Sequence, residues 1–297
     1  NEGTLTFSRT DAHDVDATIS GFGGVVVGSG ALSANQQVTF TRSNTYEGNT
    51  TVSNGTLIVA PGAAIGASNT FVMNGATLVV NGTLGDTNVF LTTFIDPNAT
   101  LAGSGTINAD IDLAGTLAPG ASVGRLTGGA RLTFQPGCAY AWEITTWGGA
   151  TPGTHFDQVA AEDIEMFNTS TPGDELTIVI TPNSLTGFTE TNQSYVIATA
   201  VSSLTGFDAA AILIDDSAFY AVTGCTGSWS VRQTGTTIEL TYTAGPPNPY
   251  NTWGYHSGLT FGTNADPEAD PDGDGIQNRL EWILGGNPLA QDAATPA

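Results

Sequence analysis

A short Thr-rich apolar strand set behind a Gly or Asn corner recurs through the first half of this chain, and that recurrence restricts the fold more than any other feature. Its fullest copy is Asn44-Thr-Tyr-Glu-Gly-Asn-Thr-Thr-Val-Ser-Asn-Gly-Thr-Leu-Ile-Val59. The strand half returns as Gly3-Thr-Leu-Thr-Phe7, Ala76-Thr-Leu-Val-Val80, Ala99-Thr-Leu-Ala102, Gly115-Thr-Leu-Ala118 and Ala130-Arg-Leu-Thr-Phe134. Leu5/Phe7, Leu57/Val59, Leu78/Val80 and Leu132/Phe134 occupy alternate positions, so each pair points to one face of its strand. The other face carries Thr or Ile, which predicts an apolar inside and a Thr-coated outside. Gly and Asn fit the corners because tight turns use left-handed backbone that other residues resist.

Sandwiches and barrels also contain many short strands, but they do not need near-identical rungs. Here the Thr-Leu steps fall at Thr56, Thr77, Thr100 and Thr116, which are 21, 23 and 16 residues apart. That is the coil length of a solenoid, and stacking coils place each inward Leu/Val pair on its counterpart above and below. The expected fold is therefore all-β, a right-handed parallel β-helix. If about 245 residues form some 12 coils at about 4.8 Å each, the shaft is roughly 55 to 60 Å long.

The longest internal echo sets Gly55-Thr-Leu-Ile-Val-Ala-Pro-Gly-Ala-Ala-Ile-Gly66 against Gly115-Thr-Leu-Ala-Pro-Gly-Ala-Ser-Val-Gly124. Both place Pro-Gly after the strand, where Pro fixes φ and Gly permits reversal. Together with Asn44–Val59 and Ala99-Thr-Leu-Ala-Gly-Ser-Gly-Thr-Ile107, these segments resemble the passenger-associated transport repeat of bacterial autotransporter and autotransporter-like surface proteins. The resemblance covers about Gly3 to Ile144. It implies a secreted β-helical stalk and names no ligand. Autotransporters continue into an outer-membrane barrel of alternating strands, and the sequence given has no such segment, so export through its own barrel is not expected of it unless a barrel was cleaved off.

Composition narrows the partners. The 297 residues are 40% hydrophobic, enough for a large core, but only 11% are charged, so polarity rests on Thr, Ser and Asn. There are 28 acids against 6 bases, all of the bases are Arg, and the net charge is −22. This argues against nucleic acid and anionic membrane surfaces, which are bound through basic patches, and it favours divalent cations or cationic surfaces. No run approaches the roughly 20 apolar residues of a membrane helix. A chain opening at Asn1 rather than Met fits a secreted protein after signal removal, and a trimmed chain equally. The two cysteines, Cys138 and Cys225, fit one disulfide in an exported protein; the alternative is two buried free thiols.

From 138 to about 245 the strand-like segments lengthen and repeat less closely: Tyr140–Ile144, Leu176–Thr181, Tyr195–Val201, Ala211–Ile214 and Thr237–Thr243. Ala160–Phe167 reads either as a turn of helix or as further rungs. Gly245-Pro-Pro-Asn-Pro-Tyr250 reads as an extended connector. The expected organisation is a repeat β-helix over 1–137, terminal coils or a β-rich cap over 138–245, and a linker with a small C-terminal module over 246–297.

That module carries the sharpest chemistry in the sequence. Asp270, Asp272, Asp274, Asn278 and Glu281 fall at positions 1, 3, 5, 9 and 12 of a loop, with Gly275 at 6 and the Ile276 carbonyl at 7. Ca²⁺ takes six to eight oxygen ligands, and this spacing curls five side chains and one carbonyl around one point, with Glu281 placed to bind through both oxygens. The loop leads into a short helix over 277–284 that Gly285-Gly286 and Pro288 stop. Trp282, Ile283 and Leu284 need apolar cover, for which Trp253, Tyr255, Leu259 and Phe261 are nearest in sequence. The segment resembles the DxDGDGxxNxxE repeats of the thrombospondin type 3 and dockerin-like group. Dockerins imply two such loops and a cohesin partner, and the sequence holds one loop.

Asp110 and Asp112 lie two apart on an expected strand, with Arg125 and Arg131 following. Polysaccharide lyases on β-helices use acid clusters for Ca²⁺ and a basic residue to abstract a proton, but such grooves collect several cations and this chain has no Lys. His13, His155 and His256 are isolated in sequence. The expected protein is a secreted, non-enzymatic structural subunit of an extracellular filament or surface layer that assembles head-to-tail with copies of itself through its β-helix ends, offset in charge by Ca²⁺. The alternatives are a cell-surface adhesin that holds glycans on a Thr/Asn face and, after it, a polysaccharide lyase.

Overall fold

The computed structural model describes residues 2–28 and 36–291. Its body is a parallel β-helix. One nine-stranded sheet runs from Ala12–Val15 to Ile212–Asp215, and successive coils keep the register read from the Thr-Leu steps. Gln37, Thr56, Thr77, Thr100, Thr116 and Ala139 are partners in turn. One residue further along, Val38, Leu57, Leu78, Leu101, Leu117 and Tyr140 stack inward, none more than 1% exposed. This ladder is why the sequence repeats: each Leu is covered by its counterparts rather than by a distant segment, so a change in shape at one rung is felt by both neighbours.

Two more faces complete each coil. Ala64–Ile65, Thr83–Leu84 and Thr106–Ile107 form a narrow one with Ile65, Leu84 and Ile107 inward. Thr70–Val72, Thr92–Ile95, Asp110–Leu113 and Arg131–Phe134 form the third. The Thr coating holds for the first face, but on the third face Thr50, Thr70 and Thr93 point inward and are at most 1% exposed. There a Thr fills the space of a Val. Tyr46 and Ser68 meet Thr50 in a buried hydroxyl chain at 2.6 and 2.8 Å.

The shaft is shorter than the sequence suggested. Nine stacked strands at about 4.8 Å spacing span roughly 38 Å, because the later coils consume more chain: Ala139 pairs with Thr177, 38 residues on. Widening has a visible cause. Gln158–Met166 pairs with both Arg125–Gly128 and Arg131–Phe134, so one long strand spans two faces and the corner between them is gone. The interior that this opens is filled by rings, with Trp142, Tyr195, Trp229, Trp147, Phe219 and Tyr242 in continuous edge and tilted contact. Of the two readings of Ala160–Phe167, the strand is correct.

The stack changes character at its last strands. Thr237–Thr243 pairs antiparallel with both Gln193–Thr205 and Ser228–Thr234, and helix α1 (Ser217–Thr223) follows the last parallel strand. The segment expected as an extended connector is partly helical. Asn248 caps helix α2 (Pro249–His256) by accepting from the Tyr250 and Asn251 amides, and Pro249 stands at the first helical position, where its missing N–H costs nothing. Helix α3 (Asn278–Leu284) ends at Gly285 with φ 79°, as its sequence signals required.

Cys138 and Cys225 do not form the expected disulfide. Both are buried free thiols. Cys138 sits at the turn into Ala139–Thr146, where the Asn168 carboxamide donates to its sulfur at 3.7 Å. Cys225 follows α1, with its amide donating to the Thr223 hydroxyl. Each is embedded in its own packing, and burial pushes both thiols up, Cys138 to about 11.

Candidate metal centre

The C-terminal segment is fastened to the far end of the shaft before the acidic loop begins. Asn251 Nδ2 donates to the Gly224 carbonyl at 2.6 Å, the Tyr255 hydroxyl to Leu185 O at 2.9 Å, and the Phe261 amide to Ala221 O at 2.7 Å. Leu259, Phe261 and Ala265 form a second small core against Trp253 and Tyr255. Trp282 packs edge-to-face on Tyr250 rather than entering that core. Ile283 and Leu284 stay 64% and 74% exposed, so the cover that the sequence suggested for them is not supplied by this group.

The loop is shaped by its own carboxylates. Asp270 accepts from the Gly273 and Gly275 amides, both at 2.9 Å, Asp272 from Asp274 N at 3.2 Å, and Asp274 from Ile276 N at 2.8 Å. Gly273 and Gly275 have φ of 73° and 91°, left-handed values that a side chain resists, which accounts for a Gly at each position. The curl brings oxygens of Asp270, Asp272 and Asp274 within 4.8 Å of one another. Among the described residues it is the one group of three or more His, Cys, Asp or Glu that close.

Asn278 and Glu281 enter from α3. Asn278 is fully buried; its Nδ2 donates to the carbonyls of Asn264 and Asp266 at 2.8 and 2.9 Å, and its amide donates to Ala269 O. Asn278 therefore ties the start of α3 to the chain leading into the loop. Glu281 is 1% exposed and stands outside the 4.8 Å group of aspartates. Ile276 is placed by the hydrogen bond that its amide donates to the Asp274 carboxylate. The donor set is all oxygen, which suits hard divalent cations. Two of its oxygens, Asp272 Oδ2 and Asn278 Oδ1, are buried without a hydrogen-bond partner in the protein, as oxygens reserved for a cation would be. Desolvation raises the Asp272 carboxyl, and the neighbouring Asp274 and Asp270 add to it.

The other charged residues singled out in the sequence are engaged separately. Asp110 and Asp112 do face outward together, but Asp110 pairs with Arg131 at 3.0 Å and Asp112 accepts from Gln135 at 2.6 Å. Arg131 also reaches Glu165 at 3.6 Å. Arg125 lies on a different strand, in register with Gln158. His155 accepts from the Thr151 amide and the His256 ring packs on Tyr255, while His13 lies on the first strand of the nine-stranded sheet. Sequence reasoning did not single out Asp157, which is 1% exposed and whose carboxyl is pushed up to about 8 by burial. An acid inside Phe156-Asp-Gln-Val, between a ring and a strand, was the available signal.

No protein-family model matches the chain, and no curated protein sequence matches it.

Proposed function

We propose that the protein is a secreted, non-enzymatic structural subunit whose copies join end to end, with Ca²⁺ held by the loop from Asp270 to Glu281. The observation that carries the reading is the state of the stack's outermost strands. Among the described residues, Leu5–Phe7 and Ala12–Val15 pair on one side only, as do Ile212–Asp215 and Ser228–Thr234 at the other end. Strand edges of this kind are templates for pairing with another chain. The resemblance to autotransporter-like repeats supports an extracellular stalk, and the net charge of −22 gives a cation a role in letting copies approach.

In the loop, Asp270, Asp272 and Asp274 supply the first carboxylates, Ile276 a carbonyl, Asn278 its spare oxygen and Glu281 the closing carboxylate. The ion would neutralise acids that otherwise repel one another and would fix α3 against the chain at 264–269. Negative-stain microscopy and light scattering with Ca²⁺ and with EDTA test the assembly. Filaments or linear oligomers in Ca²⁺ that shorten in EDTA are expected, and a monodisperse monomer at high concentration in Ca²⁺ overturns it. Calorimetric titration of Ca²⁺ into the protein and into Asp272→Ala and Glu281→Ala tests the ion separately: unchanged affinity in both variants would remove the loop as its site.

A further inference from the structure

Where the C-terminal segment meets the far end of the shaft, it leaves a cleft of about 620 Å³, within the size range of small-ligand sites. Its walls come from α1, α2, the chain near 261–267 and α3. Two aromatic side chains of the lining, one from α1 and one from α3, are partly exposed, Tyr220 at 46% and Trp282 at 37%. Beside Trp282 lies Tyr250, whose hydroxyl is spent on Ala265 O at 3.0 Å and whose ring meets Trp282 at 5.7 Å and 82°. Tyr250 therefore offers the cleft ring surface rather than a polar tip.

The polar groups around these rings are neutral and half used. Asn248 spends its Oδ1 capping α2, which leaves its Nδ2 donors. Asn251 spends its Nδ2 on Gly224 O, which leaves its Oδ1 acceptor. The Tyr220 and Thr263 hydroxyls and the Trp282 indole N–H line the same space with no side-chain hydrogen bond to any described residue. The one cation there, Arg279, is held by Glu268 at 2.8 Å, and Asp266 also lines the wall. A carboxylated, sulfated or phosphorylated ligand would thus meet acids and a neutralised arginine. An extended peptide would seek the free main-chain edge of a strand, and none of the lining residues lies in a strand.

We propose that this cleft binds a neutral oligosaccharide. The C–H faces of a pyranose pack on Tyr220 and Trp282, and its hydroxyls bond the Asn248 amide, the Asn251 carbonyl oxygen and the Thr263 hydroxyl. The site differs from the Thr-coated faces of the shaft; Tyr220, Asn248, Tyr250 and Asn251 precede the acidic loop, whereas Trp282 follows Glu281 on α3, so binding is read both with and without Ca²⁺.

Affinity electrophoresis of the intact chain through native gels containing laminarin, xylan, galactomannan or dextran tests it, run once in Ca²⁺ and once in EDTA. Retardation in at least one gel is expected. In fluorescence titrations with the matching oligosaccharide, Tyr220→Ala and Trp282→Ala should each raise Kd about tenfold, while Tyr220→Phe, which keeps the ring, should lose less. Both positions are partly exposed, and unchanged melting profiles would show that the variants fold. No retardation in any of the four gels under either condition overturns the proposal. So does retardation that both alanine variants retain, and so does binding of a random-peptide library in place of the glycans.

Discussion

Asp157 accepts a hydrogen bond from the Gly124 amide at 2.7 Å. Its other oxygen accepts from the Glu143 amide at 2.8 Å, and its carbonyl takes the Trp142 indole N–H, so one buried acid joins three segments where the coils begin to widen. Burial pushes its carboxyl up to about 8, with the nearby Glu143 charge adding and the two amide bonds opposing. A folded-state value above that of the unfolded chain means the native state holds the proton longer. The contribution is then fully present below about pH 4 and is lost as pH rises to about 8. Urea unfolding in EDTA between pH 5 and 8 should show stability falling by at most about 1.4 kcal/mol per pH step from this group. Asp157→Asn should remove that part of the slope while costing about 1 to 3 kcal/mol near pH 5, since one backbone amide loses its acceptor. Parallel slopes in the two proteins would exclude Asp157 as the cause.

Thr93 points into the shaft beside Ile95, and its hydroxyl is buried without a partner, as is that of Thr70 one rung away. Valine has the same shape without the group that gives up its water. Thr93→Val should raise stability by about 1 kcal/mol, against the usual direction of core substitutions. Thr50→Val should instead destabilise, because Thr50 links Tyr46 and Ser68. Chemical denaturation of the two single variants checks the contrast.

The repeat was legible because a β-helix imposes its register on the sequence: Leu57, Leu78, Leu101 and Leu117 must be alike since each lies on the next. The acidic loop was legible for a related reason, since its glycines and aspartates are fixed by local backbone geometry. What could not be read is set by contacts distant in sequence. The inward turn of Thr50, Thr70 and Thr93 depends on how wide each coil is, and Thr is common on both faces. The merging of two faces in Gln158–Met166 opens the space that Trp142 and Tyr195 fill from other coils. The cap at Asn248 was hidden by three prolines that suggest extension, although the last of them starts a helix. The aromatic cleft draws its walls from Tyr220 and Trp282, which are 62 residues apart, and no local pattern joins them.

Two glycines separate backbone strain from crowding. Gly75 has φ 80° with open space where a Cβ would stand, whereas at Gly103, with φ 106°, a Cβ would lie 2.2 Å from Val80 O on the rung below. Gly75→Ala should cost about 1 to 2 kcal/mol, the strain alone. Gly103→Ala should cost about 3 kcal/mol or more, because the stacked rungs cannot separate locally. Equal melting shifts for the two would show that the coils are less tightly stacked than this spacing.

Burial protects the two thiols. With Cys138 pushed up to about 11 and Cys225 raised, little thiolate forms at neutral pH and neither sulfur is open to reagent. Iodoacetamide should label the native protein slowly, and unfolding without reductant should admit two labels by intact mass. Zero labels after non-reducing denaturation would show that the pair is oxidised in the isolated protein.

The acidic loop gives a change of sign rather than of size. Asp272 has one oxygen buried without a hydrogen bond and lies within 4.8 Å of the Asp270 and Asp274 oxygens, so in the absence of a cation its charge works against the fold. Asp272→Asn removes that repulsion and keeps an acceptor for the Asp274 amide. In EDTA the variant should melt at or above the temperature of the parent. In millimolar Ca²⁺ the order should reverse, because binding stabilises only the native state that can bind and the variant lacks a carboxylate ligand, weakening its Ca²⁺ affinity by at least about tenfold. The crossing is what separates a metal ligand from a structural turn: an aspartate that only shaped the loop would lower the melting temperature equally in both buffers.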